Sequence, residues 1–363
     1  MKTTFLYSEK FANVSYGRDH PMRPMRLKLT YELIKECGLF DIPGAKIVEA
    51  RKATEEELLL FHTPQYIEML KKADSGALPE DAGLYGLGDR DNPAFPGVFE
   101  WSCYSTGASI QAAELISEGK ADIAFNIAGG LHHARSNGAS GFCYLNDPAV
   151  AINHLLTLGK RVAYVDIDAH HADGVEAAFY DTDKVLTISI HESGRYLFPG
   201  TGFPQDMGEG SGRGYAINLP LPPSAGDELF LLGFEGLVPP FIEAFKPDML
   251  VTQLGVDTFK KDPISHLSLT TNGFEKMVKG FKSFNLPWAA LGGGGYDLDN
   301  VKRAWTLSWA IMNGVKAPAR LRDGPLKDET GQEGRRNVVK DIDFLKREAL
   351  PLVKKAGYDG VLP

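Results

Sequence analysis

A chain of 363 residues that is 43% hydrophobic, 24% charged and 10% aromatic has the makeup of an ordinary globular protein, long enough for one large α/β domain or two small ones. Its net charge of −8 argues against nucleic acid or an anionic membrane as the main partner, because both reward basic patches. The three cysteines, Cys37, Cys103 and Cys143, are odd in number and widely spaced, so neither a disulfide framework nor a cysteine-based zinc site is implied. No run approaches the roughly 20 apolar residues that a bilayer span needs. The opening MKTTFLYSEKF puts charge where a secretion signal needs an apolar centre, so a cytoplasmic location is expected.

In chain order, the first clear helical periodicity covers 54–72, where Thr54 followed by Glu57 suits a capping box; a second covers 102–117. Short apolar runs rich in β-branched residues then alternate with helical segments, at 121–128, 161–169, 185–190, 248–256 and 286–293. Nearly continuous apolar runs spaced in this way predict parallel strands buried on both faces, hence an α/β sheet with helices outside it. Two Gly/Pro-rich stretches, 79–97 and 198–214, read as long surface loops of the kind that carry function. No repeat interrupts the first 315 residues, which read as one folded unit; from about 313 the chain turns highly charged (RLRDGPLKDETGQEGRR), and 316–363 is expected to be a peripheral extension with a helix over 338–355.

Residues that bind metal or move protons follow the apolar runs repeatedly, where an open parallel sheet places its ligands. The strongest group is DIDAHHAD, residues 166–173. Side chains two apart on an extended chain share a face, so Asp166, Asp168 and His170 point together as the strand ends. Carboxylate with imidazole suits zinc or another first-row divalent ion, and Asp257, ending a buried run at LGVD, is the best third ligand because an acid there is costly unless paired or ligated. Taken alone, Asp168 and His170 also fit a loop carboxylate capping a helix beside a solvated histidine. His132 and His133 stand in a glycine-rich setting; as a pair they could divide general base and general acid between them, with Asp166 and Asp173 fixing their tautomers, or they could make only structural hydrogen bonds. Four consecutive glycines, 292–295, require a tight turn or a close backbone approach and would carry Tyr296 into the site as an oxyanion donor; the phosphate-loop reading lacks the Lys-Ser or Lys-Thr that should follow. Phe142, after Gly141, and Phe198 bring aromatic rings near these strand ends, either as walls of a narrow channel for the methylene stem of a lysine or as ordinary packing.

Taken together, HPMRPMRL (20–27), FHTPQYI (61–67), GGLHHA (129–134), GFCYLND (141–147), VDIDAHHADGV (165–175), FPGTG (198–202), QLGVDT (253–258) and LGGGGY (291–296) resemble the zinc-dependent histone deacetylase superfamily, in its class I-like bacterial branch with the acetoin utilisation proteins. The resemblance implies the arginase/deacetylase fold, a single α/β domain around an eight-stranded parallel sheet flanked by helices. It also implies hydrolysis of acetyl-lysine in a protein or of a similar acylated small amine. It makes Asp168, His170 and Asp257 ligands of Zn2+, with Fe2+ an alternative, His133 the general base and acid beside His132, Asp166 and Asp173 their carboxylate partners, and Tyr296 the catalytic tyrosine. Phe142 and Phe198 match channel walls, Gly141 a channel residue, Ile264 and Asp91 the rim, and Arg26 an internal cavity for released acetate. Two structural K+ ions are implied, one at Asp166, Asp168, His170, Ser189 and Ile190, the other at the carbonyls of Phe179, Thr182, Val185 and Tyr215. An arginase-like binuclear hydrolase is the rival on the same architecture, weakened because Thr258 and Phe259 follow Asp257 where a second metal needs another acid; a silent acyl-lysine binding module is the rival outside enzymes.

Overall fold

The computed structural model describes residues 1–324 and 331–358, the last four of them (355–358) by backbone alone. Eight strands form a single parallel sheet: β1 (Thr3–Tyr7), β2 (Ala45–Glu49), β3 (Ile123–Asn126), β4 (Val162–Asp166), β5 (Val185–Glu192), β6 (Ala216–Leu221), β7 (Met249–Gln253) and β8 (Trp288–Leu291). Their order is β2-β1-β3-β8-β7-β4-β5-β6, with helices over the sheet. Every residue of β3, β4, β5, β7 and β8 is buried, as their continuous apolar character predicts. The three strands that hydropathy alone does not announce lie in or beside the edges: β2 is mostly exposed, β1 is a five-residue run beside it, and β6 carries Pro220, which an edge strand tolerates.

Register is what positions the site. Asn126 of β3 pairs with Leu291 of β8, Leu291 with Gln253 of β7, Gln253 with Asp166 of β4, and Asp166 with Ser189 of β5. Four neighbouring central strands therefore end level with one another, and the segments after them emerge side by side. Tryptophans lock the helix Leu298–Met312 against this layer: Trp305 Nε1 donates to Leu254 O just past β7 (2.9 Å), and Trp309 Nε1 donates to Leu39 O (2.8 Å). Both rings are wholly buried, each contributing on the order of 1.5–3 kcal/mol or more of transfer free energy.

Two predicted helices differ from what forms. The segment 54–72 is two helices, Glu55–Leu58 and Pro64–Ala73. Thr54 and Glu57 do make the capping box, but Pro64 disfavours helical backbone at Thr63, which instead caps the second helix by accepting from Tyr66 N. The terminal helix is likewise divided, into Gln332–Glu348 and Leu350–Tyr358, with Pro351 in the first turn of the second. Val338, Ile342, Leu345 and Val353 are buried, and Ile342 lies against Gly236 of the helix Asp227–Phe245. Residues 325–330 and 359–363 of the charged extension lie outside the described residues.

Candidate active site

Beyond β4 the chain turns through two successive side-chain-to-backbone bonds. Asp166 Oδ1 accepts from Asp168 N and Asp168 Oδ1 accepts from His170 N, both at 3.0 Å, the short-range bonding that aspartate favours in turns. Asp257, beyond β7, reaches across to accept from Ala169 N at 2.9 Å. The result brings His170 Nδ1 to 3.0 Å from both Asp168 Oδ1 and Asp257 Oδ2, and one ligand atom of each residue lies within 4.8 Å of the others. Asp168 Oδ2 is held in turn by Gln253 Nε2 (2.6 Å) and Gly294 N (2.8 Å). Alanine would not fit around this group: a Cβ on Gly255 would stand 2.1 Å from Asp168 Oδ2, and one on Gly294 would stand 2.2 Å from Asp257 Oδ2.

Two buried acids about one imidazole call for a positive charge. Burial works against a charged His170, yet the two carboxylates outweigh it and raise the ring to about 10. Burial and the neighbouring Asp168 charge push Asp257 up to about 7, whereas the His132 and His170 rings hold Asp168 well below the usual carboxylate range despite its burial. Two carboxylate oxygens and one ring nitrogen converging in this way are a donor set that fits a first-row divalent cation.

The histidine pair follows β3. Asp147 accepts from Gly130 N (3.0 Å) and Leu131 N (2.8 Å), while Asn146 Nδ2 donates to His132 O (3.2 Å) and Ala134 O (2.9 Å). The backbone of Asn146 is itself held, its N donating to His62 Nε2 at 3.0 Å. Each ring has a buried acid: His132 Nδ1 lies 2.7 Å from Asp166 Oδ2 and His133 Nδ1 lies 2.7 Å from Asp173 Oδ1, leaving the two Nε2 atoms 3.0 Å apart. Tyr164 Oη donates to Asp166 at 2.5 Å and Arg135 Nη2 to Asp173 at 2.7 Å. The environments separate the rings. For His132, burial is overcome by the Asp166 and Asp168 charges, and the ring rises to about 9; for His133, burial and the repulsion of His132 overcome Asp173, and the ring falls to about 4.

Tyr296 arrives from the other side. The glycine turn after β8 has Gly293 at φ +118° and Gly295 at φ +135°, and a Cβ on Gly293 would stand 2.2 Å from Gln253 Nε2. Arg26, buried, donates from Nη1 to Gly295 O and from Nη2 to Gly293 O, both at 2.8 Å. Burial and the Asp257 and Asp168 charges push the Tyr296 phenol well above its ordinary value, so it stays protonated as a donor. Tyr296, His132, His133, Asp168, His170, Gly141 and the glycine turn line one small cavity.

The histone deacetylase domain pattern matches residues 20–312 of this chain. The chain belongs to the histone deacetylase domain family. It is 42% identical over 321 residues to the acetoin utilization protein AcuC of Bacillus subtilis (strain 168), covering 86% of this chain and 82% of that protein. It is 41% identical over 323 residues to human histone deacetylase 1, covering 88% of this chain and 66% of the human protein, so it spans a little under two thirds of that relative. Among solved structures, an HDAC homolog from Aquifex aeolicus superposes with a TM-score of 0.88 at 35% identity, over 94% of this chain and 100% of that one. The resemblance carried by the motifs and the eight-stranded single-domain architecture both hold.

On this histone deacetylase fold, the other singled-out residues fall into three places. Around the cavity mouth, Gly141 (φ +50°) is confined: a Cβ there would lie 2.5 Å from His133 Cδ2 and 3.0 Å from Phe198 Cε1. Phe198, 45% exposed, sets its ring 5.0 Å from that of His133, and Phe142 sets its ring 5.7 Å from that of Tyr296, so the two phenylalanines flank opposite sides. Asp91 is exposed on its loop, and its carbonyl lies 3.2 Å from Nε2 of His20, whose ring contacts Phe142. Ile264 is half-buried, its N donating to Asp262 at 3.2 Å. Arg26 spends two donors on the glycine turn, leaving a buried Nε without a partner.

Asp166, ending β4, is in register with Ser189 inside β5, which Ile190 follows, and Ser189 Oγ lies 2.8 Å from His191 Nδ1; Asp168 and His170 stand in the turn beyond β4. Val185 opens β5 and Tyr215 precedes the neighbouring β6, its carbonyl accepting from Thr187 N at 2.8 Å; Thr182 N donates to Phe179 O at 3.4 Å. Several supports escaped sequence reasoning. Gln253, a polar residue ending an apolar strand, and Asn146-Asp147, opening a helix, carried a legible signal of misplaced polarity; Asp262, in the hydrophilic KKDP, carried none.

Proposed function

We propose that this protein is a metal-dependent deacylase that hydrolyses the amide of acetyl-lysine, or of a similarly acylated amine, to free amine and carboxylate. Asp168, His170 and Asp257 would hold the ion, Zn2+ or Fe2+, which supplies Lewis acidity to the amide carbonyl and lowers the pKa of a water toward neutrality. His133, neutral and backed by Asp173, is the base that takes the proton of the attacking water at Nε2. His132, backed by Asp166, stands beside it with the two Nε2 atoms 3.0 Å apart, and the pair returns a proton to the leaving amine. Tyr296 donates a hydrogen bond to the oxyanion. Phe142 and Phe198 flank the stem of the substrate, Gly141 leaves it room, and Asp91 and Ile264 form the rim.

The observation that carries this reading is a buried Asp-His-Asp donor set beside one small cavity, which two carboxylate-backed imidazoles and a protonated phenol also line. The names of the relatives, a histone deacetylase and an acetoin utilization protein, support the same chemistry. Residues 1–315 are assigned to the catalytic domain and 316–363 to an extension on it. K+ at the two cation sets is a structural expectation by family likeness. No helix among the described residues is long and apolar enough to cross a membrane, and a cytoplasmic location suits the reading. The decisive test incubates the metal-replete protein with a panel of acyl-lysine peptides and acylated polyamines and measures released acid. Release from one class names the substrate. Silence toward every member, with metal bound, would favour a non-catalytic binder, and two metals per chain would favour the binuclear alternative.

A further inference from the structure

We propose that Asp262 is a positioning residue for Tyr296, setting where the phenol meets the oxyanion; the inference rests on the role given to Tyr296 above. Asp262 lies five residues beyond Asp257, is 6% exposed, and belongs to none of the groups that line the cavity. One carboxylate oxygen, Oδ2, accepts from Tyr296 N at 2.7 Å and from Asp297 N at 3.3 Å, and the other, Oδ1, accepts from Ile264 N at 3.2 Å. The Asp262 backbone is anchored in turn, its N donating to Phe259 O at 2.8 Å.

The need for such a hold follows from the glycines. A turn at Gly293 and Gly295 with φ beyond +110° has no Cβ atoms to steer it, so its direction must be imposed by whatever grips its backbone. Arg26 grips the carbonyls before Tyr296, and Asp262 grips the first two N–H groups after the glycines. Asp297 then caps the helix Leu298–Met312 by accepting from Asn300 N at 2.8 Å, so the tyrosine backbone is clamped between a buried guanidinium and a buried carboxylate. The same carboxylate ties this clamp to the segment that runs from Asp257 to Ile264. Displacements of about 1 Å in a reacting group are enough to slow a reaction on the order of a hundredfold.

The test is a double-mutant cycle on the metal-loaded protein with an acetyl-lysine peptide, reading kcat and KM separately alongside metal content and Tm. Asp262→Ala is expected to lower kcat at least tenfold with KM within twofold and one metal per chain retained. In a Tyr296→Phe background the same change is expected to cost less than twofold, because the group it positions is already gone. Asp262→Asn keeps an oxygen for Tyr296 N while setting an amide against Ile264 N, and is expected to recover part of kcat; it carries the cycle if the alanine variant fails to fold. Equal losses in both backgrounds would overturn the proposal, as would wild-type kcat in Asp262→Ala. Tyr296→Phe at wild-type rate would instead remove the role of the tyrosine itself, and the positioning role with it.

Discussion

The two flanks of the cavity are built by different means. On the histidine flank, functional side chains are held by other side chains: His132 by Asp166, His133 by Asp173, and those acids by Tyr164 and Arg135. On the tyrosine flank, the backbone is held instead, through glycine carbonyls bonded to Arg26 and the Tyr296 N–H bonded to Asp262. The difference matches the tasks proposed for them. A proton-transfer group needs its protonation tuned, which charged neighbours do directly; an oxyanion donor needs only to stay protonated and stand in the right place.

Where the flanks meet, the contrast should vanish. Asp257→Ala removes a donor that both sides share, and activity is expected to fall below detection with metal content dropping well under one per chain, measured by elemental analysis; an active, fully metallated variant would separate the Asp-His-Asp group from catalysis. Within the histidine flank, His133→Ala should lower kcat by roughly 10²–10⁴, and exogenous imidazole is a suitable rescue probe. Equal rates in His133→Ala and the parent would transfer the base to another group. On the tyrosine flank, Tyr296→Phe should cost about 2.7–4 kcal/mol, or 10²–10³ in kcat, with a metal affinity that does not change. Parent-like kcat there would leave the backbone clamp without a chemical purpose.

The smallest effect concerns the outer support of the histidine flank. His62 is buried, and burial lowers its ring to about 4, below the roughly 6.5 of an unfolded histidine. The native state therefore binds fewer protons than the unfolded chain between those values, so this contribution is complete above pH 6.5 and is lost as pH falls toward 4. At 1.36 kcal/mol per pH unit it amounts to about 3 kcal/mol. Protonation also removes the Nε2 acceptor from Asn146 N, and with it the brace on the backbone carrying His132. Denaturant titrations from pH 7 to 4 should show a steeper decline in the parent than in His62→Gln, which keeps an acceptor without a titrating ring. Parallel pH profiles in the parent and His62→Gln would contradict a neutral buried ring.

Legibility from sequence follows the same division. The central strands announce themselves because both their faces are buried, and the reactive residues because polar groups right after apolar runs demand partners. The edge elements stay hidden: β2 is mostly exposed and β6 holds a proline, so neither carries a hydrophobic period. The break at Thr63 was written in Pro64, but the apolar spacing across it is continuous enough to mask it. The supports of the histidine flank, such as Gln253 and Asp147, can be suspected from polarity out of place. Asp262 cannot, because an acid between lysines and a proline looks like surface, and only the fold turns it inward.

The level ending of β3, β8, β7 and β4 partitions the molecule's tolerance to changes of length. Inserting one residue within any of these strands would carry its trailing segment forward by about 3.3 Å and exchange its inward and outward faces. A loop such as 79–97, outside the sheet, carries no such register, while the four inner ribbons act as a fixed ruler for the site.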